Sequence, residues 1–223
     1  MFIKVVNPNT TWSMTATMGP PSIESHYDEA LAVPGILTEI EKGERDSVDG
    51  YVIACFGDPG LDAARELAGG PVVGIAEAAM RAAAVLGRGF SVVTTLARAT
   101  GRAWDLAHRY GMRDACRGVH ACDLPVLALD SDPDARKIVT EACLDALSED
   151  GSDTIVLGCA GMADLCAHIS AEIGVPVVDG VAAATLTVPS LVTMGLATGK
   201  RGEFATPPPK RYAGLLDGFT TGG

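Results

Sequence analysis

The chain has 223 residues, of which 48% are hydrophobic, 20% charged and only 5% aromatic, and its formal net charge is −11. Apolar content this high, without low-complexity tracts, excludes a disordered chain and supplies core enough for one large domain or two small ones. The acidic balance with no Lys/Arg cluster argues against nucleic-acid and anionic-membrane partners, and no apolar run reaches the roughly 18 residues of a spanning helix. The opening apolar stretch is broken at once by Asn7 and Asn9, which reads as a cytoplasmic protein rather than a signal peptide. Six cysteines in a reducing compartment are expected as free thiols.

Short β-branched runs alternate with amphipathic stretches along the chain. Strands are predicted at 2–6, 50–55, 71–75, 90–95, around 119–129, at 153–158 and at 175–179. Helices are predicted at 28–45, 59–68, 76–87, 97–110, 133–149, 162–173 and 180–195. Alternation of this kind predicts an α/β protein, with parallel sheets flanked by helices.

An internal repeat refines that expectation. Val52-Ile53-Ala54-Cys55-Phe56-Gly57, a helix and Pro71-Val72-Val73-Gly74 are echoed by Val156-Leu157-Gly158-Cys159-Ala160-Gly161, a helix and Pro176-Val177-Val178-Asp179. Strand 2–6, ending in Asn-Pro-Asn-Thr, matches strand 90–95, ending at Thr94 and Thr95. Two pseudo-symmetric lobes follow, with the site in the cleft between them: residues 1–88 and 182–223 form the first, and 89–181 the second. Helix 180–195 is expected to return the chain to the first lobe. The halves disagree by sixteen residues between the first strand end and the cysteine. That excess holds the strand around 119–129, so a helix end and a strand are expected to be missing from the first half near Met18. Either they are deleted, or residues are missing from the sequence there.

Cys55 and Cys159 occupy one setting twice: apolar strand, cysteine, glycine-containing turn, helix. Ligands gather at the carboxyl ends of parallel strands. Backbone N–H groups at the start of a helix are expected to lower a thiol from about 8.5 toward neutrality and to hold a developing oxyanion. Two such thiols across a cleft make an acid/base pair. Cys116, Cys122, Cys143 and Cys166 lack that context and read as packing residues. Cys116, His120 and Cys122 make only a weak metal pattern, lacking a fourth ligand at recognisable spacing. No Gly-x-Gly-x-x-Gly, phosphate loop or Gly-x-Ser-x-Gly occurs, which disfavours nucleotide cofactors and the usual serine hydrolases. His26, His108 and His168 read as surface or structural residues. Glu24 receives no catalytic role, and Asp58 and Asp179 read equally as helix caps. Residues 205–223, opening on Pro207-Pro208-Pro209, read as an extended tail whose Leu215, Leu216 and Phe219 are available for contacts.

Asn7-Pro8-Asn9-Thr10, the segment from Ser22 to Ala30, Ala54-Cys55-Phe56-Gly57-Asp58-Pro59-Gly60-Leu61, Gly158-Cys159-Ala160-Gly161-Met162 and Lys200-Arg201-Gly202-Glu203-Phe204 together resemble the hydantoin racemase family. That family includes the allantoin racemases and belongs to the aspartate/glutamate racemase superfamily. The resemblance covers nearly the whole chain and departs after Met18, where family members continue the first helix into a further strand. It implies a cofactor-independent, metal-free, homo-oligomeric two-base racemase acting on a small hydantoin-type ring. Cys55 and Cys159 would exchange the C5 proton. Substrate-binding residues would be Asn9, Phe56, Gly57, Thr94, Thr95, Ala160, Gly161 and Met162. Phe56 and Met162 lean toward an apolar 5-substituent, whereas allantoin would need a more polar pocket. The cysteine loops carry no Arg or Lys to anchor a free amino acid, which favours a neutral ring. The alternatives are allantoin racemisation, another activity of the superfamily, and a non-catalytic dithiol redox or metal-binding role.

Overall fold

The computed structural model describes residues 1–10 and 19–219. Both parallel sheets expected from the repeat are present. The first has strand order β1-β2-β3, with β1 Ile3–Val6, β2 Gly50–Ile53 and β3 Val72–Gly74; the second has order β5-β4-β6-β7, with β4 Phe90–Thr94, β5 Cys116–Ala121, β6 Thr154–Leu157 and β7 Val177–Val178. Helices α1 His26–Arg45, α2 Leu61–Leu67, α3 Ile75–Leu86, α4 Thr100–Arg109, α6 Ala135–Asp150, α7 Cys166–Ile173 and α8 Gly180–Thr193 cover the sheets, and α5 Ala128–Ser131 is a single turn.

Equivalent strands run β1 to β4, β2 to β6 and β3 to β7, which leaves β5 without a counterpart among the described residues of the first sheet. The junction expected to be short, at Met18, lies outside the described residues. The strand expected around 119–129 begins and ends earlier, at Cys116 and Ala121. Asp123 takes a positive φ of 53° and Pro125 has no N–H for a ladder, so the chain turns there and α5 follows.

Alternation along the strands joins the two layers. On β4, Phe90 and Val92 point into one core and Val93 into the other; on β6, Val156 joins the first core while Ile155 and Leu157 join the second. The second sheet is therefore buried on both faces, as an all-parallel sheet requires.

Helix α8 begins on Asp179, whose carboxylate accepts from the backbone N–H groups of Val181 and Ala182. It brings the chain back to the first sheet, packing Ala184 and Val188 into the first core. Its first residue touches the start of α3 closely: a Cβ on Gly180 would sit 2.6 Å from the Ile75 carbonyl oxygen and 3.1 Å from the Ile75 Cβ. Gly180→Ala is expected to destabilise the fold by about 1–3 kcal/mol through this overlap. Urea unfolding measures it, and an unchanged midpoint would mean that the contact yields freely.

Beyond α8 the chain is pinned by Lys200, whose Nζ donates to the carbonyls of Arg65 and Glu66 at 2.6 and 2.7 Å. The Phe204 ring sits 5.9 Å from the Arg65 guanidinium. From Ala205 to Gly218 the residues are mostly exposed, Leu215 fully and Leu216 by half.

Candidate active site

The strands of both sheets end at one cavity of about 210 Å³. Asn9 reaches it from beyond β1, Cys55 from beyond β2, Thr94 and Thr95 from the end of β4, and Cys159 from beyond β6. Parallel strands deliver these residues together because their carboxyl ends share one edge. Of the predicted site residues, Asn9, Cys55, Phe56, Gly57, Thr94, Thr95, Cys159, Ala160 and Gly161 line the cavity.

Met162 does not line it. Its side chain is fully buried in the second core, and its backbone N–H donates to the Cys159 carbonyl at 3.1 Å. The 3₁₀ turn Ala160–Leu165 directs this side chain inward, which leaves Phe56 as the large apolar group that sequence reasoning placed in the pocket.

The two cysteine turns are built alike. The Gly57 N–H donates to the Cys55 thiol, and the Gly161 N–H donates to the Cys159 thiol. Each thiol is thus met by the amide two residues further on, as the repeat requires. Their surroundings differ. A Cβ on Gly161 would meet Leu129 Cδ1 at 3.1 Å, whereas one on Gly57 would overlap Glu29 Oε1 and lie 2.9 Å from Arg102 Nε. Thr94 Oγ1 donates to the Gly158 carbonyl at 3.3 Å, tying the end of β4 to the residue before Cys159.

Both thiols are pushed up, not down. Burial raises Cys55 to about 12, with the Gly57 N–H opposing it and Cys159 and Asp58 adding to it. Burial raises Cys159 to about 11, the Gly161 N–H opposing and Cys122, Glu24 and Asp130 adding. The expected lowering toward neutrality fails because desolvation of a thiolate outweighs one amide hydrogen bond. No eight-residue helix begins beside Cys55 either: α2 is seven residues long and starts six positions later.

Several lining residues escaped the sequence reading. Ile23, Glu24, Ser25, His26 and Glu29 approach from the start of α1, and Arg98, Ala99, Arg102 and Ala103 from the residues after β4. Helix α1 is opened by Ser25, whose Oγ accepts the Asp28 N–H at 3.1 Å and donates to Asp28 Oδ2 at 2.7 Å. Glu24, given no role from sequence, accepts the Val126 N–H at 2.8 Å and so joins the α1 entry to the loop after β5. Arg102 pairs with the Glu29 carboxylate and donates from Nη2 to the Gly57 carbonyl at 2.7 Å. Cationic side chains therefore do reach the cavity, although from outside the cysteine loops. Arg98 and Arg102 lie four apart just beyond a strand end, which was the available signal.

The remaining cysteines lie elsewhere. Cys116, Cys143 and Cys166 are buried, and Cys122 donates from Sγ to the Thr95 carbonyl at 3.6 Å. His120 of the weak metal pattern meets Asp150 Oδ2 at 2.6 Å, the same oxygen that accepts from Ser91 at 2.7 Å. Among the described residues no helix is long and apolar enough to cross a membrane.

Comparison with known proteins points to one chemistry. The family described as Asp/Glu/Hydantoin racemase matches residues 5–188. A hydantoin racemase of Rhizobium meliloti is 47% identical over 236 residues, covering 96% of this chain and 98% of its own. A hydantoin racemase of Pseudomonas sp. (strain NS671) is 42% identical over 241 residues, covering 98% of this chain and 97% of its own. The structure of allantoin racemase from Klebsiella pneumoniae superposes with a TM-score of 0.95 at 47% identity, covering 99% of each chain.

Proposed function

The chain belongs to the Asp/Glu/Hydantoin racemase family and is a racemase, and from that premise we propose that it inverts C5 of 5-substituted hydantoins through Cys55 and Cys159. The observation that carries the reading is the matched pair of cysteine turns, each with its glycine N–H on the thiol, opening on one cavity.

One thiolate takes the C5 proton, and the electron pair of that C–H bond passes into the adjacent carbonyl as an enolate. The opposite thiol then gives its proton to the other face of C5. One proton is held by the two sulfurs before and after, with their roles exchanged, so the step balances without a cofactor. Burial suits this chemistry in one respect: a thiolate formed at a raised pKa is a stronger base toward a weakly acidic carbon. The Gly57 and Gly161 amides supply the hydrogen bond that makes such a thiolate attainable.

An uncharged ring fits the wall better than a free amino acid does. Of the two cations at the wall, Arg102 is committed to Glu29 and the Gly57 carbonyl, and Arg98 is exposed and acts on Asp28, while the Glu24 carboxylate opposes an anionic substrate. A second reading, allantoin as the preferred ring, is favoured by the polar lining from Asn9, Glu24 and Ser25, with Met162 absent from it. The relatives do not choose, since one hydantoin and one allantoin racemase share the same 47% identity.

The test is C5 exchange in deuterated buffer. Single enantiomers of 5-benzylhydantoin and of allantoin are each followed by optical rotation and deuterium incorporation. Racemisation with deuterium entering C5 is expected, and the faster ring decides between the two substrates. Because both thiols rest protonated, kcat/KM is expected to climb about tenfold per pH unit on the alkaline side of neutrality. No exchange above the buffer blank with either ring would redirect the search to another superfamily reaction or to a dithiol role.

A further inference from the structure

We propose that Arg102 and Glu29 are positioning residues for Cys55, clamping its glycine turn from outside the loop, and that among the described residues Cys159 has no such clamp. The inference rests on the reading of Cys55 as an acid/base group, and it adds an asymmetry that the repeat does not contain.

Helix α1, which packs on the first sheet, provides Glu29, and helix α4, which follows β4 of the second, provides Arg102. Their ion pair meets at the Cys55 turn, where Arg102 Nη2 donates to the Gly57 carbonyl at 2.7 Å. The same residue's N–H donates to the Cys55 thiol. The carbonyl and the N–H of Gly57 lie in adjacent peptide planes hinged at a Cα without a side chain, so a hold on the carbonyl narrows the range over which the N–H can swing away from the thiol. A side chain at position 57 is excluded by Glu29 and Arg102 themselves. Glu29 is buried, and both Glu29 Oε1 and Arg102 Nε are enclosed without a hydrogen-bond partner among the described residues. A buried carboxylate paired with a half-buried guanidinium, each with an unused polar atom, is a poor device for stability alone. Placing a rigid guanidinium fork against one carbonyl is a use that Arg serves well. Around Gly161 the corresponding neighbour is the methyl of Leu129, with no charge. Arg102 reaches Cys55 through the Gly57 peptide, whose carbonyl it holds and whose N–H favours the thiolate, while Cys159 and Asp58 oppose that thiolate.

Iodoacetamide labelling of the full chain tests this, with each cysteine peptide quantified by mass spectrometry across a pH series. In Arg102→Met, Cys55 labelling is expected to slow about tenfold at each alkaline pH, because its thiolate loses a well-aimed amide. Cys159 in the same molecules should be unmoved. The kcat for racemisation should fall by a similar factor with little change in KM, and Arg102→Lys should recover part of both losses because its ammonium still donates to the Gly57 carbonyl. Glu29→Gln, which keeps the size of the pair, should shift Cys55 in the same direction, and it serves if Arg102→Met does not fold. Equal changes at Cys55 and Cys159, no change at either, or faster labelling of Cys55 would overturn the clamp. Labelling needs no substrate, so the expected pattern in a chain that fails to racemise any ring would support the clamp and count against the function alone.

Discussion

Cys55→Ser and Cys159→Ser are each expected to lower racemisation about a thousandfold or more, the scale of a lost acid/base group. Serine keeps the shape and the glycine N–H contact but holds its proton far more tightly than a thiol. Each turnover uses both sulfurs once, so either substitution stops inversion in both directions. The equilibrium constant between enantiomers is one, which forces kcat/KM to fall equally from either side. Exchange without inversion distinguishes the two thiols. In Cys55→Ser, the enantiomer whose C5 hydrogen faces Cys159 should still exchange with solvent deuterium and return its original configuration. In Cys159→Ser, the other enantiomer should do so. Both cysteines lie outside the strands, at the cavity wall, so the melting temperature should stay near that of the wild type. Inversion retained within about tenfold in either variant would sink the two-thiol mechanism.

What the sequence made legible was what repeats locally. Period-2 strands, 3.6-period helices and the doubled Cys-x-Gly turn are all written within short windows. From them came two parallel sheets, the strand without a counterpart in the second half, and both cysteines at one edge. The misses have a common physical character. Helix 97–110 was predicted, but an amphipathic pattern does not say which partner its polar face meets, so Arg98 and Arg102 were not placed at the cavity. The Glu29–Arg102 contact joins residues 73 apart in the chain, beyond any local window. Met162 follows Cys159 closely, yet one turn of 3₁₀ helix carries its side chain into the core. The direction of the thiol shifts depends on desolvation, a property of the packed whole. Asp58, read from sequence as a helix cap, is a cap at long range: it follows the Cys55 turn but serves the first turn of α3.

Asp58→Asn is expected to change the pH dependence of stability more than any other single carboxylate substitution near the site. The Asp58 carboxylate is buried and accepts the Ala76 N–H at 3.1 Å, the Glu77 N–H at 3.0 Å and the Tyr110 hydroxyl at 2.6 Å. It joins the Cys55 turn to the starts of α3 and to the end of α4, and Asp58 itself takes a positive φ of 44° to do so. Three donors favour the ionised form, yet burial outweighs them and raises the group from 3.8 to about 6. A carboxyl raised on folding binds its proton more tightly in the native state. Its contribution is therefore fully present below the unfolded value and is lost as pH rises through about 6. The shift corresponds to about 3 kcal/mol across that window. Asparagine cannot ionise, and it turns an N–H₂ group toward one of the three donors, which costs about 1–3 kcal/mol for the donor left unpaired. The stability of the wild type minus that of Asp58→Asn, measured by urea titration from about pH 4 to about pH 7, should thus fall as pH rises, to zero or below it. Taking the difference cancels the opposing slopes of Asp28 and Glu39, whose folded values are lowered, while Glu77, also lowered, acts on Asp58 and leaves part of its slope in the difference. A difference that is flat across the window would mean that the three donors balance burial, and one that grows with pH would mean that they overcome it.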